Sequence, residues 1–104
     1  MIEHPTSDAP AVGGFTTSEK GWCYAGTLTF DDAADVFAAS KALPLPANGI
    51  VDFSAMLHAD SAALAIIIAL KRRATAEGRA LSATGLPSTL RSLAVVYGVD
   101  HLLA

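Results

Sequence analysis

Ile50-Val51-Asp52-Phe53-Ser54, followed by Asp60-Ser61-Ala62-Ala63-Leu64 and the apolar run to Leu70, is the stretch on which the fold turns. The first five residues read as a buried central strand. The second group reads as the start of a helix, with Asp60 as the N-cap and Ser61 at the first helical position, pointing outward. Backbone N–H groups at a helix start have no intrahelical partner. A hydroxyl there is exposed, firmly placed and within reach of a partner or a phosphate.

The helix runs from about Ser61 to Glu77, with Gly78 as its stop. Upstream, Phe15 to Ser18 suggests a short strand, and Glu19-Lys20-Gly21 a hairpin turn. From Trp22 to Phe30 the pattern has a period of two. Tyr24, Gly26, Leu28 and Phe30 share one face; Cys23, Ala25, Thr27 and Thr29 share the other. Asp31 is a candidate cap for a helix whose inner face carries Ala33, Val36, Phe37 and Ser40, and which Pro44 and Pro46 end. Downstream, Arg79 to Thr84 reads as a strand. Pro87 opens a third helix with the inward stripe Leu90, Leu93, Ala94 and Tyr97. Gly98 ends that helix, and Asp100 to Leu103 adds a last turn. The order β-β-α-β-α-β-α predicts an α/β domain: a small mixed sheet of about four strands packed by three to four helices. Its strand–helix–strand units imply parallel strands joined by right-handed crossovers.

With 104 residues, of which 52% are apolar, the chain is one domain able to bury its own core. Residues 1–13, with Pro5, Thr6, Ser7, Asp8 and Pro10, read as a flexible lead-in, and 14–104 as the domain. The lone Cys23 excludes an internal disulfide and reads as a small strand hydrophobe. No cluster of His and Cys suggests a metal, and no cofactor is expected. Met1-Ile2-Glu3-His4-Pro5 lacks the features of a signal peptide. The longest apolar run, Ala62 to Leu70, falls short of the roughly 20 residues of a membrane span. These features predict a soluble, cytoplasmic protein that does not insert into the membrane. A net charge of −3 argues against nucleic acid as a partner. The basic cluster Lys71-Arg72-Arg73, with Arg79 and Arg91 beyond it, reads as a solvated helix end.

The helix starting at Ser61 has two apolar stripes at 3.6 residues per turn. Ala63, Ile66, Ile67, Leu70 and Ala74 make a sufficient core face. Leu64 and Ile68 fall on the other side, on a strip with Ser61 above and Arg72 and Thr75 below. An outward helix face is normally polar, so this strip predicts a docking surface. The alternative is that the third helix or the lead-in covers Leu64 and Ile68. The same strip could pair two copies of the chain when no partner is present.

Asp52 interrupts an apolar strand, so it needs hydrogen bonds, and capping a nearby loop or helix start would supply them. His58, in the connection before Ser61, could tune the docking surface with pH. Asp52 and Asp60 are two carboxylates without a nucleophile, an oxyanion motif or a phosphate loop, so no enzyme is expected.

Val51-Asp52-Phe53-Ser54 with Ala59-Asp60-Ser61-Ala62-Ala63-Leu64 resembles the signature of STAS domains. The likeness continues through Lys71-Arg72-Arg73-Ala74, Gly78-Arg79 and Leu90 to Asp100, so it covers most of the chain from Phe15 to Leu103. The C-terminal pattern is most similar to the small STAS subunit of the Mla phospholipid-transport ABC complex. That resemblance implies a STAS-like fold and a non-catalytic subunit. Such a subunit binds and supports the cytoplasmic ATPase of a transporter maintaining outer-membrane lipid asymmetry, and reaches the permease and inner membrane through that ATPase. Ser61 matches the hydroxyl that is phosphorylated in anti-sigma-factor antagonists, which gives the alternative function. STAS switch proteins usually carry glycine where this chain has Ala63, and a methyl there could hinder a kinase-type partner.

Overall fold

The computed structural model describes residues 14–103; the lead-in expected over 1–13 lies outside them. Strands β1 (Phe15–Ser18), β2 (Gly21–Leu28), β3 (Ile50–Ala59) and β4 (Ser82–Thr84) form one sheet in the order β1-β2-β3-β4. The hairpin pair β1–β2 is antiparallel, while β2–β3 and β3–β4 are parallel. Helices α1 (Phe30–Lys41) and α2 (Ser61–Ala76) make the two crossovers. Helix α3 (Ser88–Val96) packs beside α2, and a 3-10 turn (Asp100–Leu102) follows it. The expected element order is therefore present, in an α/β fold with a small mixed sheet of four strands.

The core lies between one sheet face and the helices. Phe15, Trp22, Tyr24, Leu28, Val51, Phe53 and Met56 point into it from the strands. Ala63, Leu64, Ile66, Ile67, Leu70 and Ala74 meet them from α2. Burying each large aliphatic contributes about 1.5–3 kcal/mol. The Phe15 ring stands edge-on to Tyr24 with centroids 4.9 Å apart and lies 5.2 Å from Trp22. That cluster anchors the short β1 to the sheet. The opposite face carries a row of Thr16, Cys23, Asp52 and Thr84, one residue from each strand.

β3 is twice as long as the expected Ile50–Ser54. It spends three residue steps from Asp52 to Ala55 against two on β2, then two from Met56 to His58 against one. These bulges break the alternation of inward and outward residues. Phe53 and Met56 face the core, while Ser54, Ala55, Leu57 and His58 are exposed. A strict period of two therefore loses the strand after Ser54, although the ladder continues.

α1 begins two residues earlier than expected. Its N-cap is Thr29, not Asp31. The Asp32 carboxylate accepts from the Thr29 N–H at 3.1 Å, the Thr29 hydroxyl at 3.0 Å and the Thr27 hydroxyl at 2.9 Å. These bonds, that to the Thr29 backbone foremost, hold its carboxyl below the usual range. Phe30 consequently leaves the strand pattern, and its ring is exposed rather than on the inward face.

The basic residues after α2 also divide differently from expectation. The Arg73 guanidinium donates to the Ser40 carbonyl at 3.0 Å and the Leu43 carbonyl at 2.7 Å. Arg79 donates to the carbonyls of Leu45 and Pro46. They clamp the end of α1 and the segment that follows it, so neither is part of a merely solvated helix end. The Arg79 N–H is taken by Ala74 O at 2.8 Å, which delays β4 to Ser82. Arg73→Ala is expected to cost about 2–3 kcal/mol, because two charge-assisted bonds are lost. Glu77→Ala, which removes only the exposed 3.1 Å ion pair to Arg73, should cost no more than about 0.5 kcal/mol. Urea denaturation of the two variants checks the contrast.

Candidate functional site

Parallel strands β2 and β3 both end where α1 and α2 begin, and one carboxylate joins those helix starts. Asp60 accepts from the Ala62 N–H at 2.8 Å with one oxygen and from the Phe30 N–H at 2.9 Å with the other. It thus caps α2 as expected and also binds the first residue of α1. Ser61 follows as the first residue of α2 with its side chain exposed.

Below Ser61 the expected strip is only partly on the surface. Leu64 is 3% exposed and belongs to the core, which corrects its placement on an outward stripe. The physical cause is the path of the chain beyond α3. Gly98 ends that helix in the left-handed region (φ +70°). The Gly98 N–H donates to Val95 O at 3.0 Å and the Val99 N–H to Ala94 O at 2.8 Å. This glycine-terminated reversal turns the chain back along α2. Tyr97 and Val99 then border Leu64, so the alternative of cover by the third helix and its continuation applies to that residue.

A groove remains between α2 and the returning chain. Its upper hollow, about 330 Å³, is lined by Ser61, Leu64, Ala65, Ile68, Tyr97 and Val99. Its lower hollow, about 380 Å³, is lined by Ile68, Lys71, Arg72, Thr75, His101 and Leu102. Ile68, half-buried, belongs to both. Arg72 and Thr75 are exposed as expected. The Thr75 hydroxyl donates to the Lys71 carbonyl at 3.1 Å, one turn back on the same helix. Burial pushes the Lys71 ammonium below its ordinary range, as desolvation disfavours the charged form.

His58 does not join this groove. It lies within β3, opposite Thr27, rather than in a connecting loop. Asp52 is also elsewhere, half-buried on the far face of the sheet. It accepts from the Ser54 N–H at 2.9 Å and the Ser54 hydroxyl at 3.0 Å, so it steadies the bulge and caps no helix. Beside it, burial first and the Asp52 charge second push the Cys23 thiol up. Asp52 and Asp60 stand near opposite ends of β3 and form no pair.

Tyr97, with its neighbours Val95 and Val96, is the surface feature that inward-stripe reasoning missed. The three are 57%, 62% and 77% exposed. Consecutive helical residues point about 100° apart, so three apolar residues in a row cannot all face one core. Ala63, in contrast, is wholly buried. Its methyl packs beneath the surface and presents nothing to an approaching partner, contrary to the expected hindrance.

Among the described residues, no helix is long and apolar enough to cross a membrane. No group of His, Cys, Asp and Glu in those residues could hold a metal ion. No curated protein matches the chain. A family model described as "Mlab, STAS domain" matches residues 24–104, which include the Asp60-Ser61 helix start and the whole groove. By that match, together with the mixed four-stranded sheet and its helix order, the chain belongs to the STAS domain family.

Proposed function

We propose that this chain is the non-catalytic STAS subunit that binds and supports the cytoplasmic ATPase of an ABC phospholipid transporter maintaining outer-membrane lipid asymmetry. STAS domains are in general non-catalytic regulatory or interaction modules. The observation that carries the reading is the exposed Tyr97 at the end of α3, which lines the hollow that reaches Ser61, with Val95 and Val96 exposed just before it. Adjoining large apolar side chains left exposed mark a protein-docking surface. In this reading the protein is cytoplasmic and reaches the inner membrane and permease through the ATPase. Co-expression of the full chain with the nucleotide-binding subunit of a lipid-transport ABC complex from the same organism is the test. A complex that survives size-exclusion chromatography is expected, and elution of the chain alone overturns the reading.

The exposed Ser61 hydroxyl favours a second reading, an anti-sigma-factor antagonist switched by phosphorylation. Against it, the Asp60 carboxylate already occupies the Ala62 N–H at the start of α2. A phosphate on Ser61 would add negative charge beside that carboxylate. Intact-mass measurement of the protein from its own cells separates the two: a stoichiometric phosphate supports the switch, and its absence under all growth conditions removes it.

A further inference from the structure

Val95 and Tyr97 are both exposed, but their helical positions set them about 200° apart. Tyr97 lines the hollow that reaches Ser61. Val95 belongs to another face. It lines a separate hollow of about 290 Å³ between α3 and the 3-10 turn, together with Arg91, Asp100 and Leu103. Arg91 precedes Val95 by one helical turn, and Val96, 77% exposed, follows it. Leu90 and Ala94 hold the opposite side of α3 in the core, so this face turns outward. A helix face turned to solvent is ordinarily polar, yet here a valine sits at its centre. Arg91 and Asp100 are exposed, and neither side chain makes a hydrogen bond or ion pair with a described residue. Among the described residues the face thus carries one unpaired cation and one unpaired anion at the margins of an apolar centre. A partner patch of a single charge sign would match one of them and repel the other. A second copy related by a two-fold axis matches both, because such a contact sets residue i against j and j against i. Ser88 and Ser92, exposed on the same face, are small enough to let a facing helix approach.

We propose that this outward face of α3 joins two copies of the chain about a two-fold axis, Val95 and Val96 against their counterparts and Arg91 of each copy against Asp100 of the other. The surface is distinct from the hollow beside Ser61, and the inference does not rest on the ATPase reading. The contact offers one nine-residue helix and one short turn, an area at the low end of specific interfaces. The dimer is therefore a weak one, with a Kd of about 10–300 µM.

Sedimentation equilibrium of the full chain alone, from about 10 µM to about 1 mM, is the test. A monomer–dimer equilibrium is expected. Arg91→Glu and Asp100→Arg each set two like-charge pairs across the axis and should weaken association about tenfold or more. Combining the two reverses both charges and should restore the native Kd within about threefold. Val95→Ser should also weaken association about tenfold or more. Thermal unfolding of every variant at low concentration should be unchanged, since none of these side chains is buried. A chain that stays monomeric up to about 1 mM overturns the proposal. So does a dimer that Arg91→Glu leaves within about twofold of native, or one that the double reversal fails to restore. Single reversals that lower Tm, with the double reversal recovering it, would assign Arg91 and Asp100 to a pair within one chain and also overturn the proposal. The ATPase reading stands or falls separately, by its own co-expression test.

Discussion

Leu64→Asp is expected to unfold the domain, not to produce a folded protein with a damaged surface. The side chain is 3% exposed and sits in the core cluster. Truncating a buried leucine costs about 2–5 kcal/mol through lost transfer energy and the cavity left behind. A carboxylate in its place adds the penalty of an unpaired buried charge, relieved only by protonation. The total reaches about 5 kcal/mol or more, comparable with the whole stability of a domain this small. Near-UV circular dichroism at neutral pH should show lost tertiary packing. Ile68→Asp, at a half-buried position, should fold and unfold cooperatively. A Leu64→Asp protein with native spectra and a Tm within a few degrees of the parent would contradict the burial and restore Leu64 to the surface.

Asp60→Ala should have the next largest effect. A lost N-cap costs about 0.5–2 kcal/mol. Here the same carboxylate also accepts from Phe30, 30 positions away in sequence, so a second charge-assisted bond is lost. Together the loss is about 2–4 kcal/mol, or roughly 10–20 °C in Tm for a domain of this size. Asp60→Asn keeps one acceptor oxygen and should recover part of it. If the bond to Phe30 contributes nothing, Asp60→Ala will cost no more than an ordinary cap. The effect bears on the site as well, because Asp60 fixes Ser61 relative to the start of α1.

Local chemistry made much of this legible. Asp60 before an apolar run announces a cap. Ala63, Ile66, Ile67, Leu70 and Ala74 announce a core face, and all five are buried. Alternation in Trp22 to Leu28 announces a strand with one covered face. Bulges hid the second half of β3, since an extra residue in a ladder resets the period without leaving a chemical signature. Asp31 was the expected cap of α1, whereas Thr29 caps it and Asp32 closes the capping box. The hydroxyls of Thr27 and Thr29, brought to the Asp32 carboxylate, set this start.

The candidate site divides the same way. That Ser61 opens a helix, that Ile68 lies on its outer side and that Arg72 and Thr75 continue that strip follow from the 3.6-residue repeat. Which of these residues meet solvent does not follow, because burial depends on chain that arrives from elsewhere. The reversal at Gly98 brings Val99 against α2, takes Leu64 into the core and moves the exposed apolar surface to Val95, Val96 and Tyr97. Arg73 and Arg79, indistinguishable from Arg72 by sequence, are drawn to carbonyls that end α1 and begin the next segment. The elements, their order and the inward face of α2 could be read from the amino acids alone, since these depend on neighbours within a few residues. Which outward residues stay exposed, and which arginines are committed to carbonyls, emerged from the folded chain, because both depend on contacts between segments 30 or more positions apart.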